Sequence, residues 1–389
     1  MNTASPAPPA ARSAVALVSC PDYGPPRVLA ALRRGLDLLG GAGRFVSRGE
    51  RILLKPNVLT GAAPERNVCT HPTVFAGVAQ LLLEAGARLS YGDSPGFGGF
   101  AAAAARAGLA QAARGLGVPM ADLSLPAQVS FNEALIAKQL VLAREALAAD
   151  GIVSLPKMKT HGFMRLTGAV KNVFGCVPGI RKGEYHVKMP RAEHFAAMLV
   201  DVCRRLRPRL SVMDGIVAME GNGPGSGTPR AMKVLLLSDD PLALDAVFCR
   251  LVRMKPEYVP TMRPGAESGL GAWEDGALAI LGDDADALAC PDFQAVRRPP
   301  VEMDRSFPYY LKHWITPRPV IDPRRCRKCG VCSEVCPLDP KAVLPPGDDP
   351  SRVPVYDYRR CIRCYCCQEM CPHGAISVRR PPLSRLIHR

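Results

Sequence analysis

Cys326-Arg327-Lys328-Cys329-Gly330-Val331-Cys332-Ser333-Glu334-Val335-Cys336-Pro337 recurs 35 residues later as Cys361-Ile362-Arg363-Cys364-Tyr365-Cys366-Cys367-Gln368-Glu369-Met370-Cys371-Pro372. Each copy reads Cys-x2-Cys-x2-Cys-x3-Cys-Pro. A backbone that wraps through Cys-x2-Cys-x2-Cys can aim three thiolates at one inorganic core. The fourth cysteine, before proline, lies too far along to join that loop and ligates the other cluster. A structural zinc site prefers two Cys-x2-Cys pairs instead. Two complete, proline-terminated copies therefore indicate two [4Fe-4S] clusters. A module this small buries little apolar surface, so its bound metal is expected to hold it folded.

The rest of the cysteine count agrees. Of fifteen cysteines, nine fall between Cys326 and Cys371 and six are scattered before residue 291. That distribution in a long chain argues against a secreted disulfide scaffold and for a localised cofactor site in a reducing, cytoplasmic setting. Cys366 is the spare thiol, read either as a small residue packed under its loop or as a redox-sensitive group. The 389 residues suggest two or three domains. Residues 1–13 read as a disordered Ala/Pro-rich tail, 14–296 as one α/β domain and 297–317 as a proline-rich linker. Residues 318–381 hold the cluster module and 382–389 a basic tail. Within the linker, Tyr309, Tyr310 and Trp314 are expected to dock it on a neighbouring surface. No apolar run is long enough to span a membrane. The formal charge of +15 points to anionic partners. The basic residues are not interleaved with aromatics, which disfavours nucleic acid.

Upstream of the linker, short apolar runs alternate with helical patterns. Strands are expected at Ala14–Ser19, Arg51–Lys55, Arg88–Gly92, Gly151–Leu155, Leu210–Asp214 and Lys233–Leu237. Helices are expected at Arg27–Leu39, Thr73–Ala85, Phe100–Ala113, Arg191–Arg205 and Pro241–Val252. This alternation predicts an α/β domain with a largely parallel sheet. In such sheets the strand carboxyl ends share one rim, where ligands bind. Polar residues follow the strands: Lys55 and Asn57, then Asp93, then Lys157, Lys159 and His161, then Asp214 and Glu220. Were these strands parallel neighbours, basic and acidic groups would face a common crevice. Lys55, Lys157, Lys159 and Lys171 suit an anionic small molecule. Asp93, Asp214 and Glu220 could hold a divalent cation, and His161, Asp93 or Glu220 could move protons. Lys171-Asn172, near a helix start, could present donors to an anion. Gly221-x-Gly223-x-Gly225-x-Gly227 precedes a strand rather than a helix, so it is a turn or flap and not a dinucleotide-binding loop.

Two resemblances add to this. The cysteine module resembles bacterial two-cluster ferredoxins, with every ligand position filled. That likeness implies crossed ligation: Cys326, Cys329, Cys332 and Cys371 for one cluster, and Cys361, Cys364, Cys367 and Cys336 for the other. Upstream, Leu155-Pro156-Lys157-Met158-Lys159-Thr160-His161-Gly162 and Thr167-Gly168-Ala169-Val170-Lys171-Asn172-Val173-Phe174-Gly175 resemble the domain-of-unknown-function family 362. Asp214-Gly215-Ile216 and Glu220-Gly221-Asn222-Gly223-Pro224-Gly225 resemble it too, over roughly residues 50–250. The likeness implies an architecture and names no reaction. The expectation that follows is an oxidoreductase. Single electrons from a low-potential donor, an acidic ferredoxin or flavodoxin, would reach an anionic substrate held by Lys157, Lys159 and Lys171. The alternatives are an electron-transfer subunit or scaffold, and a non-redox ligase or transferase.

Overall fold

The structure, a computed structural model, describes residues 12–179, 181–300, 314–346, 349 and 352–381. Eleven strands before the linker run in chain order as β1 (Ser13–Ser19), β2 (Arg51–Pro56), β3 (Arg88–Tyr91), β4 (Pro126–Ser130), β5 (Gln139–Ala143), β6 (Gly151–Leu155), β7 (Lys157–His161), β8 (Arg165–Thr167), β9 (Leu210–Glu220), β10 (Thr228–Ser238) and β11 (Leu278–Gly282). Among the described residues nine of these form one mixed, largely parallel sheet in the order β11-β1-β10-β9-β6-β2-β3, with β7 paired to β9 and β8 to β7. Strands β4 and β5 form a separate hairpin. β1 shows why the sheet is covered on both faces. Val15 and Leu17 join one apolar cluster while Ala16 and Val18 join the other, the two-residue alternation of a strand with helices on each side.

Helix starts follow local chemistry. Pro25 opens the helix Pro25–Leu38, where its missing N–H costs nothing. Asp240 caps Pro241–Leu251, its Oδ1 accepting from the N–H groups of Leu242 and Ala243 at 2.9 Å. The single helix expected over Phe100–Ala113 is two, Phe100–Arg106 and Leu109–Gly115. Gly108 takes a φ of 74° between them, a left-handed turn that suits glycine.

Two strand expectations need correction. Leu210–Asp214 continues to Glu220 because its second half pairs antiparallel with β10, closing a hairpin over the glycine-rich segment. Lys157–His161, expected as a loop beyond a strand, is itself strand β7. It pairs parallel with β9, Lys157 opposite Asp214, and antiparallel with β8. Long-range pairing overrides its polar composition.

The cysteine module adds β12 (Arg318–Ile321), β13 (Val343–Leu344), β14 (Val355–Tyr356) and β15 (Ile376–Arg379), paired antiparallel as β12–β15 and β13–β14. Its two sequence copies adopt matching backbones. Lys328 and Arg363 both have positive φ, as do Gly330 and Tyr365, and a four-residue helix follows each second position. Of the expected linker anchors, Tyr309 and Tyr310 lie outside the described residues, while Trp314 is 53% exposed. The linker's first residues are fastened to the α/β domain. Arg165 Nε and Nη2 donate to the carbonyls of Arg298 and Pro299 at 2.7 and 2.8 Å. Of the tail expected over residues 1–13, residues 1–11 lie outside the described residues, as does the tail expected over 382–389, while Ser13 already opens β1. No helix among the described residues is long and apolar enough to cross a membrane.

Candidate functional site

Strands β2, β3, β6, β7 and β9 bring the expected polar residues to one end of the sheet. Lys55 leaves β2 and meets Asp93, just past β3, with Nζ 2.9 Å from Oδ1. Asp93 also accepts from the N–H groups of Val58 and Ser94 at 2.9 Å. Lys157 Nζ lies 2.8 Å from Asp214 Oδ2 and donates to Tyr23 Oη at 2.7 Å. The tyrosine in turn donates to Asp214 Oδ1 at 2.9 Å. His71 stacks on Tyr23 and gives its backbone N–H to Asp214. Burial pushes the His71 imidazole down to about 4 and the Tyr23 phenol far upward.

Lys159 is different, because no carboxylate reaches it. Its Nζ donates to Asn57 Oδ1 at 2.7 Å and to the Val68 carbonyl at 2.8 Å. Burial pulls its pKa from 10.5 to about 7, and the charges of Lys171 and Lys157 push the same way. Asn57 donates to Asn172 Oδ1, and Asn172 donates to the Lys55 carbonyl and Ser154 Oγ. Lys55, Lys157 and Lys159 are each 1% exposed, Asp93 4% and Asp214 0%. The rim therefore holds a closed polar network where an open crevice was expected. Buried charges survive because each finds a counter-charge or several hydrogen bonds. Gly175 makes room for it: a Cβ there would overlap Asp93 Oδ1 and the end of Lys55.

The acidic trio does not assemble. Glu220 sits at the hairpin end of β9 and accepts from the Gln294 N–H at 2.9 Å, while Asp93 and Asp214 are used by their own donors. Among the described residues these three carboxylates form no group placed to hold a metal ion. The divalent-cation expectation thus finds no support: each carboxylate is satisfied locally. Lys171 lies in the short helix Ala169–Asn172, whose Ala169 and Val170 N–H groups donate to Asp245. It acts electrostatically on Lys159, His161 and Glu369.

His161 ends β7 and points the other way, to the cysteine module. Its Nδ1 accepts from the N–H groups of Phe163 and Met164 at 3.0 and 3.3 Å, which assigns the ring proton to Nε2. Nε2 lies 3.0 Å from Glu369 Oε1, and neither atom has another hydrogen-bond partner among the described residues. Burial lowers the His161 pKa, against the opposing pull of Glu369. Gln368 joins the same seam, its Nε2 donating to Asn222 O, Asn222 Oδ1 and Gly223 O at 3.0, 3.0 and 3.2 Å. Asn222 Nδ2 returns a bond to the Ile376 carbonyl at 2.9 Å. The glycine-rich segment is thus the seat of the cysteine module. A Cβ on Gly225 would sit 2.6 Å from the Glu369 carbonyl oxygen.

Sequence reasoning missed Glu369, Gln368, Tyr23 and His71. A sequence signal existed for Gln368, which stands where the first copy has Ser333. Where the first copy has exposed Gly330 and Glu334, the second has buried Tyr365 and Glu369. A tyrosine held at φ 64° tolerates backbone strain that glycine avoids, and its ring packs near Phe163.

Thiols from the two copies meet in the module. One small cavity is lined by Cys326, Cys329, Cys332 and Cys371. Cys361, in the second copy, lies within electrostatic reach of Cys364 and of Cys336 from the first. Backbone N–H groups of Ala342 and Ala375 approach the sulfurs of Cys336 and Cys371 at 3.4 Å, and Tyr356 Oη donates to Cys367 Sγ at 3.2 Å. Sulfurs from both copies brought together, with N–H and O–H donors aimed at sulfur, suit thiolate-held iron–sulfur clusters.

A family model for a domain of unknown function, DUF362, matches residues 52–250. The chain belongs to the DUF362 family. A second model, for a 4Fe-4S dicluster domain, matches residues 318–372 of this DUF362 protein. Its C-terminal module is therefore an iron–sulfur, metal-binding domain. The thylakoid-associated protein sll1697 of Synechocystis sp. is 40% identical over 257 residues, covering 66% of this chain and 79% of that protein. Two solved structures are similar over part of the chain. The lactate racemase apoprotein from Thermoanaerobacterium thermosaccharolyticum is 12% identical with a TM-score of 0.39, covering 61% of this chain and 57% of that one. A protein from Thermotoga maritima is 10% identical with a TM-score of 0.36, covering 65% and 60%. In this DUF362 protein the buried lysine network lies within the matched family segment, apart from Tyr23. The Glu369–His161 contact joins that segment to the dicluster domain.

Proposed function

We propose that this protein is an iron–sulfur electron-transfer oxidoreductase that uses single electrons on an anionic small molecule held against the α/β domain. Cys326, Cys329, Cys332 and Cys371 would hold one [4Fe-4S] cluster and Cys361, Cys364, Cys367 and Cys336 the other; bound clusters supply single-electron transfer. The observation that carries the reading is the asymmetry of the two copies. In the first, Cys329 is exposed and Arg324, Arg325, Arg327 and Lys328 around it are exposed too. That basic rim suits an acidic donor such as a ferredoxin or flavodoxin. In the second, Cys364 and Cys367 are buried, and Glu369 abuts His161. His161 and Glu369 are the pair placed to hold and move a proton as charge arrives, with Lys171 adding positive charge beside them. Lys55, Lys157, Asp93 and Asp214 form the frame that fixes β7, and Lys159 contributes a proton that burial makes easy to lose. Reduced thiols suit a cytoplasm-like compartment.

A specific observation favours a second reading. The internal pairing of Lys55 and Lys157 leaves them no valence for a ligand, as in an electron-transfer subunit or scaffold. The test is to purify the protein without oxygen, reduce it, and follow reoxidation by absorbance and EPR while small anions are added. Acceleration by a small anion, abolished in His161→Phe at unchanged iron content, supports the enzyme. Acceleration by a protein partner alone refutes it in favour of the scaffold.

A further inference from the structure

Between the α/β domain and the dicluster domain lies a cavity of about 900 Å³, the size of a drug-like or cofactor-like ligand. His161 lines it, so it meets the Glu369 contact on one side; Cys361 and Arg363 of the second copy line the other. Its described walls carry seven arginines and one lysine and no aspartate or glutamate. Arg191 pairs with Glu193 and Arg360 with Asp357 outside the wall, yet cationic side chains still crowd this one space, which suits an anion.

Two of these arginines have unsatisfied donors. Arg363 is 6% exposed, and its Nε and Nη1 have no hydrogen-bond partner; Arg298 Nη1 has none either. Thr316 Oγ1, 7% exposed, also lines the cavity without a partner. Buried donors are rarely left orphaned. Arg165 and Arg363 are both held at positive φ, 66° and 62°, a backbone conformation that non-glycine residues rarely adopt. Burial pulls Arg165 down to about 10, and Arg380 and Arg298 push the same way. Phe163, Tyr365 and Val378 add apolar wall.

We propose that this cavity binds an organic polyanion bearing carboxylate or phosphate groups on a partly apolar body, with Arg298 and Arg363 as its principal donors. The planar guanidinium fork matches both anion types bidentately. This rests on the electron-transfer reading only for the anion's use as substrate; binding itself is independent of it.

The test is calorimetric titration of the anaerobically purified, iron-loaded full chain with citrate and, separately, with ATP at low ionic strength. At least one should bind, citrate alone marking carboxylate recognition and ATP alone phosphate. Arg298→Gln should weaken binding about tenfold or more, the value of one lost charged contact, at unchanged iron content. Arg363→Lys, which keeps the charge but loses the fork, should weaken it as well. Arg114→Gln, on an exposed helix elsewhere, should leave it unchanged. No binding of either probe overturns the inference, as does equal weakening by Arg114→Gln. Clusters that take no electrons from a reduced ferredoxin would sink the electron-transfer reading and leave the titration result standing.

Discussion

Replacing Asp214 by asparagine separates a closed structural network from an open ligand site. The side chain keeps its shape, and its one amide oxygen can still accept either from Tyr23 or from the His71 N–H, which address different carboxylate oxygens of Asp214. What it loses is the charge opposite Lys157, a pair with both side chains 0% exposed at 2.8 Å. Stranding one member of a buried pair costs about 3–5 kcal/mol. The cost has a ceiling, because Lys157 can shed its proton instead. Starting from its ordinary 10.5, neutralising it at pH 7 takes about 5 kcal/mol, at about 1.4 kcal/mol per unit. At pH 9 the same escape takes only about 2 kcal/mol. Asp214→Asn should therefore lower Tm by roughly 5–8 °C at pH 7 and by about half of that at pH 9. Circular dichroism of the iron-loaded protein at a fixed scan rate measures it. Lys157→Met combined with Asp214→Asn removes both charges and should recover most of the loss. A Tm change below about 2 °C at pH 7, or one that does not shrink with pH, would show that the pair is neither buried nor charged as described.

The other predictions concern neighbouring groups. Lys159, near 7 in the folded chain and 10.5 unfolded, binds fewer protons folded than unfolded between those values. Its burial penalty is thus fully present below pH 7 and is relieved as pH rises, by up to about 1.4 kcal/mol per unit. Lys159→Met should remove that part of the rise of stability between pH 7 and 10, read as the difference from wild type in parallel melts. Cys371→Ala and Cys326→Ala should each lose the same EPR signal and about half the iron; different signals would refute the crossed sets. Gly225→Val should push against the Glu369 carbonyl and raise hydrogen exchange over residues 221–227 at unchanged iron content. Unchanged exchange would mean that this segment is not the module's seat.

The sequence made some of this legible and hid the rest for physical reasons. The eight ligands could be read because cluster binding forces a fixed local spacing. The strand starts at Arg51, Arg88, Gly151 and Leu210 could be read because buried parallel strands need continuous apolar runs. Whether a lysine is exposed cannot be read locally, since the charge that permits its burial lies far along the chain: Asp214 for Lys157, Asp93 for Lys55. Composition therefore suggested a substrate crevice where the fold closes a network. The same blindness hid the arginine cavity. Arg165, Arg298 and Arg363 come from strand β8, the start of the linker and a cluster loop, and only tertiary packing brings them to one space.

The internal repeat nevertheless carried more than ligand positions. Two copies that fold alike around alike clusters would be interchangeable if ligation were the only constraint on them. They are not: Gly330 and Ser333 in the first copy correspond to Tyr365 and Gln368 in the second, while Glu334 recurs as Glu369. Gln368 is 0% exposed and spends its amide on Asn222 and Gly223, whereas Glu334 is exposed. Each difference lies at a position that ligates nothing, so cluster chemistry cannot account for it; docking on β7 and the glycine-rich hairpin can. The module is therefore oriented by its own sequence, with one cluster loop committed to the α/β domain and the other left facing solvent under a basic rim. Exchanging Tyr365, Gln368 and Glu369 for Gly, Ser and Glu of the first copy preserves the acid but deletes the two residues that aim it. Such a variant should keep its iron yet lose the seam, since a carboxylate at the right position without Gln368 and Tyr365 has nothing to hold it 3.0 Å from His161.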